Sequence, residues 1–210
     1  MHQKDLTIKK TFTIASQNHQ KSNFKVAKNL YKKILKINPN HFESIFYLGV
    51  LLLETNNFNG AKQLFQKAIQ IQPNYAPAHN NLGIIFNALE EVQGAIDSYQ
   101  KAIQIQPNYA HAHNNLGMVF RELGEFEKAI SSYQMAIKIK SNYVDAHHNL
   151  GMMFQKMREH QKAISCFQKA IQIKFNHAAT HYNLGMAFVE LGEFEKAISS
   201  YQMAVKYEPE

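Results

Sequence analysis

A single cysteine, Cys166, means that no internal disulfide can staple this chain, and a reducing compartment suits it. No apolar run reaches the roughly 20 residues that span a bilayer, and Met1 to Lys21 lacks the apolar centre of a signal peptide. The expected location is cytoplasmic, with no membrane insertion. Glycine is scarce, and every copy has a structural place. Five belong to a Leu-Gly pair that recurs at one fixed spacing, Gly124 and Gly192 fall between helical stretches, and Gly60 and Gly94 stand early in helical ones. None is left for a phosphate-cradling loop, and neither G-x-S-x-G nor H-E-x-x-H occurs. No catalytic residue is assigned, an enzyme is not expected, and no cofactor is called for.

What is present is a period. Leu-Gly recurs at Gly49, Gly83, Gly117, Gly151 and Gly185, always 34 residues on. Twelve residues after each glycine comes an alanine (Ala61, Ala95, Ala129, Ala163, Ala197), then an aromatic four further on (Phe65, Tyr99, Tyr133, Phe167, Tyr201). A second alanine follows it (Ala68, Ala102, Ala136, Ala170, Ala204). A fixed period of this length means stacked supersecondary units, not one globular core. His113, Leu116, Gly117 and Phe120 fall on one face of a first helix. Glycine costs a helix about 1 kcal/mol relative to alanine, so five in register require a packing reason, and close approach of a second helix supplies one.

The second helix opens near Phe126, with Ala129, Tyr133 and Ala136 on one side and Ile130 and Ile137 on another. Two apolar stripes imply two neighbours: the helix's own partner and the next repeat. Pro39, Pro73, Pro107 and Pro209 close second helices, because proline disfavours helical geometry in the residue before it. Asn40, Asn74, Asn108, Asn142 and Asn176 are expected to cap the helices that follow.

Period, Leu-Gly, the alanine/aromatic/alanine trio and the late proline together resemble the tetratricopeptide repeat. The resemblance implies an all-α chain: a right-handed α-α superhelix of about six helix-turn-helix repeats forming one solenoid over 1–210. The repeats run approximately 8–41, 42–75, 76–109, 110–143, 144–177 and 178–210. Residues 1–7 read as a frayed start, and 8–41 as a degenerate capping repeat with Ile14 and Ala15 where later copies have Leu-Gly. The last second helix leaves Ile198 and Val205 without a polar cover, so a homo-oligomer through this C-terminal edge, or further protein beyond it, is expected.

The net charge of +7 gathers at one end: residues 1–41 hold nine lysines against Asp5 alone. Lys25, Lys28, Lys32 and Lys36 form a stripe at helical spacing. A solvated face accounts for it, and the alternative is a patch for an acidic partner. No aromatics interleave with the stripe, so nucleic acid is disfavoured as a partner.

Opposite its packed stripe each first helix presents a second face, which stacking aligns into a wall. That wall carries Asn81, Asn115, Asn149 and Asn183, with Asn80 and Asn114 beside them and Ile84, Met118, Met152 and Met186 one turn on. A carboxamide donates and accepts, so it pairs with the main chain of an extended peptide whatever the side chains; methionine fills irregular gaps. With repeats ~10 Å apart, an extended ligand would meet one asparagine about every third residue. The run AHNNLG resembles the repeat arms of O-GlcNAc transferases and related bacterial proteins, and by that likeness the four asparagines are ligand contacts. An alternative reading is therefore the substrate-recruiting arm of a larger transferase. Repeat two departs, with Phe46 and Tyr47 in place of the pair. Arg121, with Lys156, is the only cation near the wall, too few for a clamp on carboxylate tails. His79, His113, His147 and His181 stand where tryptophan is common in the family and are expected to pack in the core. They lie too far apart to share a metal ion, and His177 with His181 has no visible third ligand. The expected partner is a protein or peptide.

Overall fold

The computed structural model describes residues 2–207, and those residues form twelve α-helices and no strand. The chain falls into two compact units, Met1–Pro107 and Asn108–Glu210. The first holds α1 (His2–Gln20), α2 (Phe24–Ile37), α3 (Phe42–Glu54), α4 (Phe58–Ile71), α5 (Ala76–Ala88) and α6 (Val92–Ile105). The second holds α7 (Ala110–Glu122), α8 (Phe126–Ile139), α9 (Val144–Lys156), α10 (His160–Ile173), α11 (Ala178–Glu190) and α12 (Phe194–Tyr207). In each unit every helix packs on the next in sequence, and the odd-numbered helices also touch one another. They form an inner layer backed by the even-numbered helices.

The glycines do what close approach requires. A Cβ built on Gly117 would lie 2.7 Å from the Tyr133 ring, and on Gly83 or Gly151 2.6 Å from Tyr99 or Phe167. Each aromatic is fully or almost fully buried, as are the flanking alanines Ala129 and Ala136. The isoleucine stripe receives the next repeat: Ala136 and Ile137 of α8 pack with Tyr143, at the cap of α9, and with Ala146 of α9. The turn inside each pair needs one residue in the left-handed region. Gly124 and Gly192 supply it at φ +76° and +73°, while Ser22, Asn56, Glu90 and Arg158 fill the same register with side chains.

Three expectations need correction. Residues 2–7 are not frayed, because α1 is helical from His2, and Met1 lies outside the described residues. Ile14 stands 50% exposed where later copies bury leucine, although Ala15 beside it is fully buried. The asparagines of the inter-repeat turns do not cap: α5, α7 and α9 begin one residue later, with Tyr75, Tyr109 and Tyr143 at the cap position and no side-chain cap bond. At α3 His41 takes that place and its Nδ1 accepts from Ser44 N–H, and at α11 His177 takes it with no side-chain cap bond. Aromatic packing outweighs capping: the Tyr75 ring sits edge-on to Phe42 and Phe46, with centroids at 5.0 and 5.1 Å. The second helices α8 and α10 end in register without a proline, and Pro209 lies outside the described residues.

Candidate functional site

In the second unit α7, α9 and α11 lie side by side and carry the expected wall residues. A concavity of about 560 Å³ opens on it, lined by these first helices alone. Arg121, Met152, Asn183 and Met186 line it together with Lys156 and Glu122, so three successive repeats contribute. Met186 is 38% exposed, and Met118, Met152, Asn115 and Asn183 are half-buried. The Arg121 guanidinium lies 3.7 Å from the Glu122 carboxylate, and the Lys156 ammonium sits 4.5 Å above the Phe126 ring.

The amides are not equivalent. Asn114 and Asn149 are buried, at 3% and 8% exposure. Asn149 Nδ2 donates to Asn114 Oδ1 at 3.1 Å, and Asn114 Nδ2 lies 3.7 Å from Met118 Sδ. Asn114 is therefore a tether between α7 and α9 that orients Asn149, leaving Asn149 Oδ1 and one N–H for other use. At the register of Asn114 the next repeat has His148, which serves the same purpose by another route. Its Nδ1 lies 2.9 Å from the Thr180 hydroxyl of α11, which His177 also bonds. Burial, with His177 next, holds the His148 imidazole down to about 4, so it is neutral here.

In the first unit Asn80 is buried, Asn81 and Ile84 are half-buried, and Asn80 Nδ2 lies 3.4 Å from Asn81 Oδ1. Phe46 is buried among Phe42, Phe65 and Tyr75, whereas Tyr47 is 39% exposed. Tyr47 lines a second concavity of about 480 Å³ with His19, Phe24 and Glu54. There His19 Nε2 donates to Glu54 at 2.8 Å. Sequence reading missed this group, since α1 lacks the period that would have aligned it with α3. On α2, Lys25, Lys32 and Lys36 are exposed and Lys28 is half-buried, opposite the buried Ala27, Tyr31 and Ile34.

The histidines turn out to have a shared role. His79 Nε2 donates to Pro73 O at 2.9 Å, His147 to Ser141 O at 2.9 Å, and His181 to Phe175 O at 2.7 Å. Each ties its first helix to the carbonyl six residues back, across the inter-repeat turn. The acceptor is main chain, so proline, serine and phenylalanine serve equally. His181 is thereby engaged with Phe175 O, and His177 Nδ1 is bonded instead to the Thr180 side-chain hydroxyl.

Five helix pairs of one length, each seating a ring on a glycine, and an inner wall of first helices define a helical repeat protein. The chain belongs to the tetratricopeptide repeat family. Sequence patterns described as TPR repeat match residues 85–122 and 117–157, and patterns described as tetratricopeptide repeat match 19–83 and 143–207. Among solved structures the chain is similar to MamA, at 30% identity and TM-score 0.67, covering 82% of this chain and 94% of that one. It is similar in fold to pilF of Pseudomonas aeruginosa, at 18% identity and TM-score 0.86, covering 98% and 94%. YrrB, whose structure is described as a TPR protein with an unusual peptide-binding site, matches at 22% identity and TM-score 0.64, covering 86% and 93%. A comparison with curated proteins found no match. The fold is that of a protein-interaction module, with protein or peptide partners. No helix among the described residues is long and apolar enough to cross a membrane.

Proposed function

We propose that the inner wall of the second unit binds an extended segment of a partner protein, with Asn115, Asn149 and Asn183 pairing with its main chain. The observation that carries this is the concavity in which Asn183, Met152, Met186 and Arg121, from three first helices, face one space. Amides supply sequence-independent grip, methionines accept an apolar side chain, and Arg121 with Lys156 favours a carboxylate nearby. In the first unit Asn81 and Ile84 occupy the corresponding register. Three rungs at about 0.5 to 1.5 kcal/mol net per hydrogen bond, less the cost of ordering the peptide, support micromolar affinity. The exposed lysines of α2 extend the reading to partners with an acidic surface. The likeness to transferase repeat arms supports recruitment of a substrate protein as a use of the same wall.

The test is selection from a random peptide library followed by fluorescence anisotropy with the selected peptides. Asn115→Ala/Asn183→Ala should weaken every selected peptide by about tenfold or more, irrespective of sequence, since two main-chain contacts go. Unchanged affinity overturns the reading. A second reading is favoured by α12, where Ile198 and Val205 stand 57% and 67% exposed: the C-terminal edge is a surface for self-association.

A further inference from the structure

Within the second unit one sequence occurs twice in two surroundings. The first eleven residues of α8, Phe126 to Ala136, are repeated without change as Phe194 to Ala204 of α12. On α8 this stripe is covered by α9. Lys156 reaches over Phe126, Ile130 and Ile137 are half-buried, and Tyr133 is fully buried. On α12 the same register stands open: Phe194 is 63% exposed, Ile198 57% and Val205 67%, and Ile198, Tyr201, Gln202 and Val205 frame a shallow, almost wholly apolar depression. The comparison with α8 shows what such a stripe accepts, namely an antiparallel helix.

We propose that the occupant is α12 of a second copy. This rests on the self-association reading of the C-terminal edge and adds its partner, orientation and register. The stripe Phe194, Ile198, Tyr201, Val205 is spaced four, three, four, so it reads the same in both directions about a point between Ser199 and Ser200. An antiparallel pair related by a two-fold axis through that point sets Phe194 against Val205 and Ile198 against Tyr201, twice over. Charge agrees with this orientation: Glu195 lies in the first turn of α12 and Lys206 in the last, so each acidic start meets a basic end. A parallel pair would set like charges together.

The competing arrangement, α12 receiving α1 of another copy as though it were the next repeat, is blocked by α1 itself. The residue that enters between repeats at this register is Ser44, Ala78, Ala112, Ala146 or Thr180, each fully buried. In α1 it is Lys10, which is exposed. Burying its ammonium against Ala204 and Val205 would leave a charge without a partner. Head-to-tail filaments are thereby disfavoured and a closed dimer favoured. One helix from each copy buries less than the roughly 1,200 Å² of a standard interface, so the dimer forms at micromolar concentration.

Sedimentation velocity on the full chain, from low to high micromolar, tests this. The expected result is a monomer–dimer equilibrium with no higher species. Phe194→Glu alone should abolish the dimer, as should Val205→Lys alone; both sites are exposed, so the helical circular dichroism should not change. The double variant F194E/V205K should dimerise again, because the two positions face each other across the axis. A wild-type monomer throughout overturns both the self-association reading and this one. A wild-type dimer that F194E/V205K fails to restore overturns the antiparallel register while leaving self-association standing. Species larger than a dimer would show that α1 docks after all.

Discussion

At the register shared by Phe65, Tyr99, Tyr133 and Phe167, the fold uses the ring. Tyr133 is fully buried and its hydroxyl has no hydrogen-bond partner. A buried polar group without a partner costs about 1 to 3 kcal/mol, so Tyr133→Phe should stabilise the chain, and chemical denaturation should show a higher midpoint at unchanged slope. Gly117→Ala should do the opposite. Its Cβ would stand 2.7 Å from a ring with nowhere to go, and overpacking of this kind costs about 1 to 3 kcal/mol. Burial pushes Tyr31, Tyr133 and Tyr143 up to about 12. Between pH 10 and 12 the unfolded chain loses these protons and the folded chain keeps them, so stability present below 10 is lost through that window. His148 acts at the other end. Held down to about 4 from 6.5, it contributes stability that is full above pH 6.5 and lost as pH falls toward 4. His148→Asn, the residue found at this register in Asn80 and Asn114, should flatten that acid-side loss in thermal melts recorded across the range.

At the scale of the element, the period made the helices legible and left their ends partly hidden. Glycine, alanine and aromatic positions are dictated by how closely two helices approach, and that requirement is written in side-chain size. The helix starts are set differently: Tyr75 and Tyr143 hold the cap positions because their rings pack between helices, which outweighs the capping chemistry of Asn74 and Asn142. The histidine ties were invisible for a related reason, since their acceptors are backbone carbonyls whose identity leaves no trace in composition. That the amides fall on the first helices α5, α7, α9 and α11 was legible. That Asn114 is spent on orienting Asn149 was not, because it depends on the distance between α7 and α9. The turns within the pairs offer a test of local strain. Arg158 holds φ +61° at the register where Gly124 and Gly192 sit, a conformation that costs an L-residue about 1 kcal/mol or more. Arg158→Gly should therefore raise the thermal midpoint without altering the helical spectrum, part of the gain being offset by the freer glycine in the unfolded chain.

At the scale of the molecule, stability is a matter of neighbours. Among the described residues, helices in each unit touch only the next one or two along the chain, so every pair draws on its own packing and on the faces beside it. The second unit contains its own control, because α8 and α12 share eleven residues of sequence and therefore nearly the same intrinsic helix propensity. They differ in cover: α8 buries Ala129, Ser132, Tyr133 and Ala136, and α12 buries only Ala197 and Ser200. Fully burying one large apolar side chain is worth about 1.5 to 3 kcal/mol, so the amides of α8 should open at least tenfold less often than their counterparts in α12. Native-state hydrogen exchange at low protein concentration measures this directly, residue against identical residue. Equal protection in the two helices would mean that propensity, and not stacking, sets local stability here, and the nearest-neighbour account of the fold would fail.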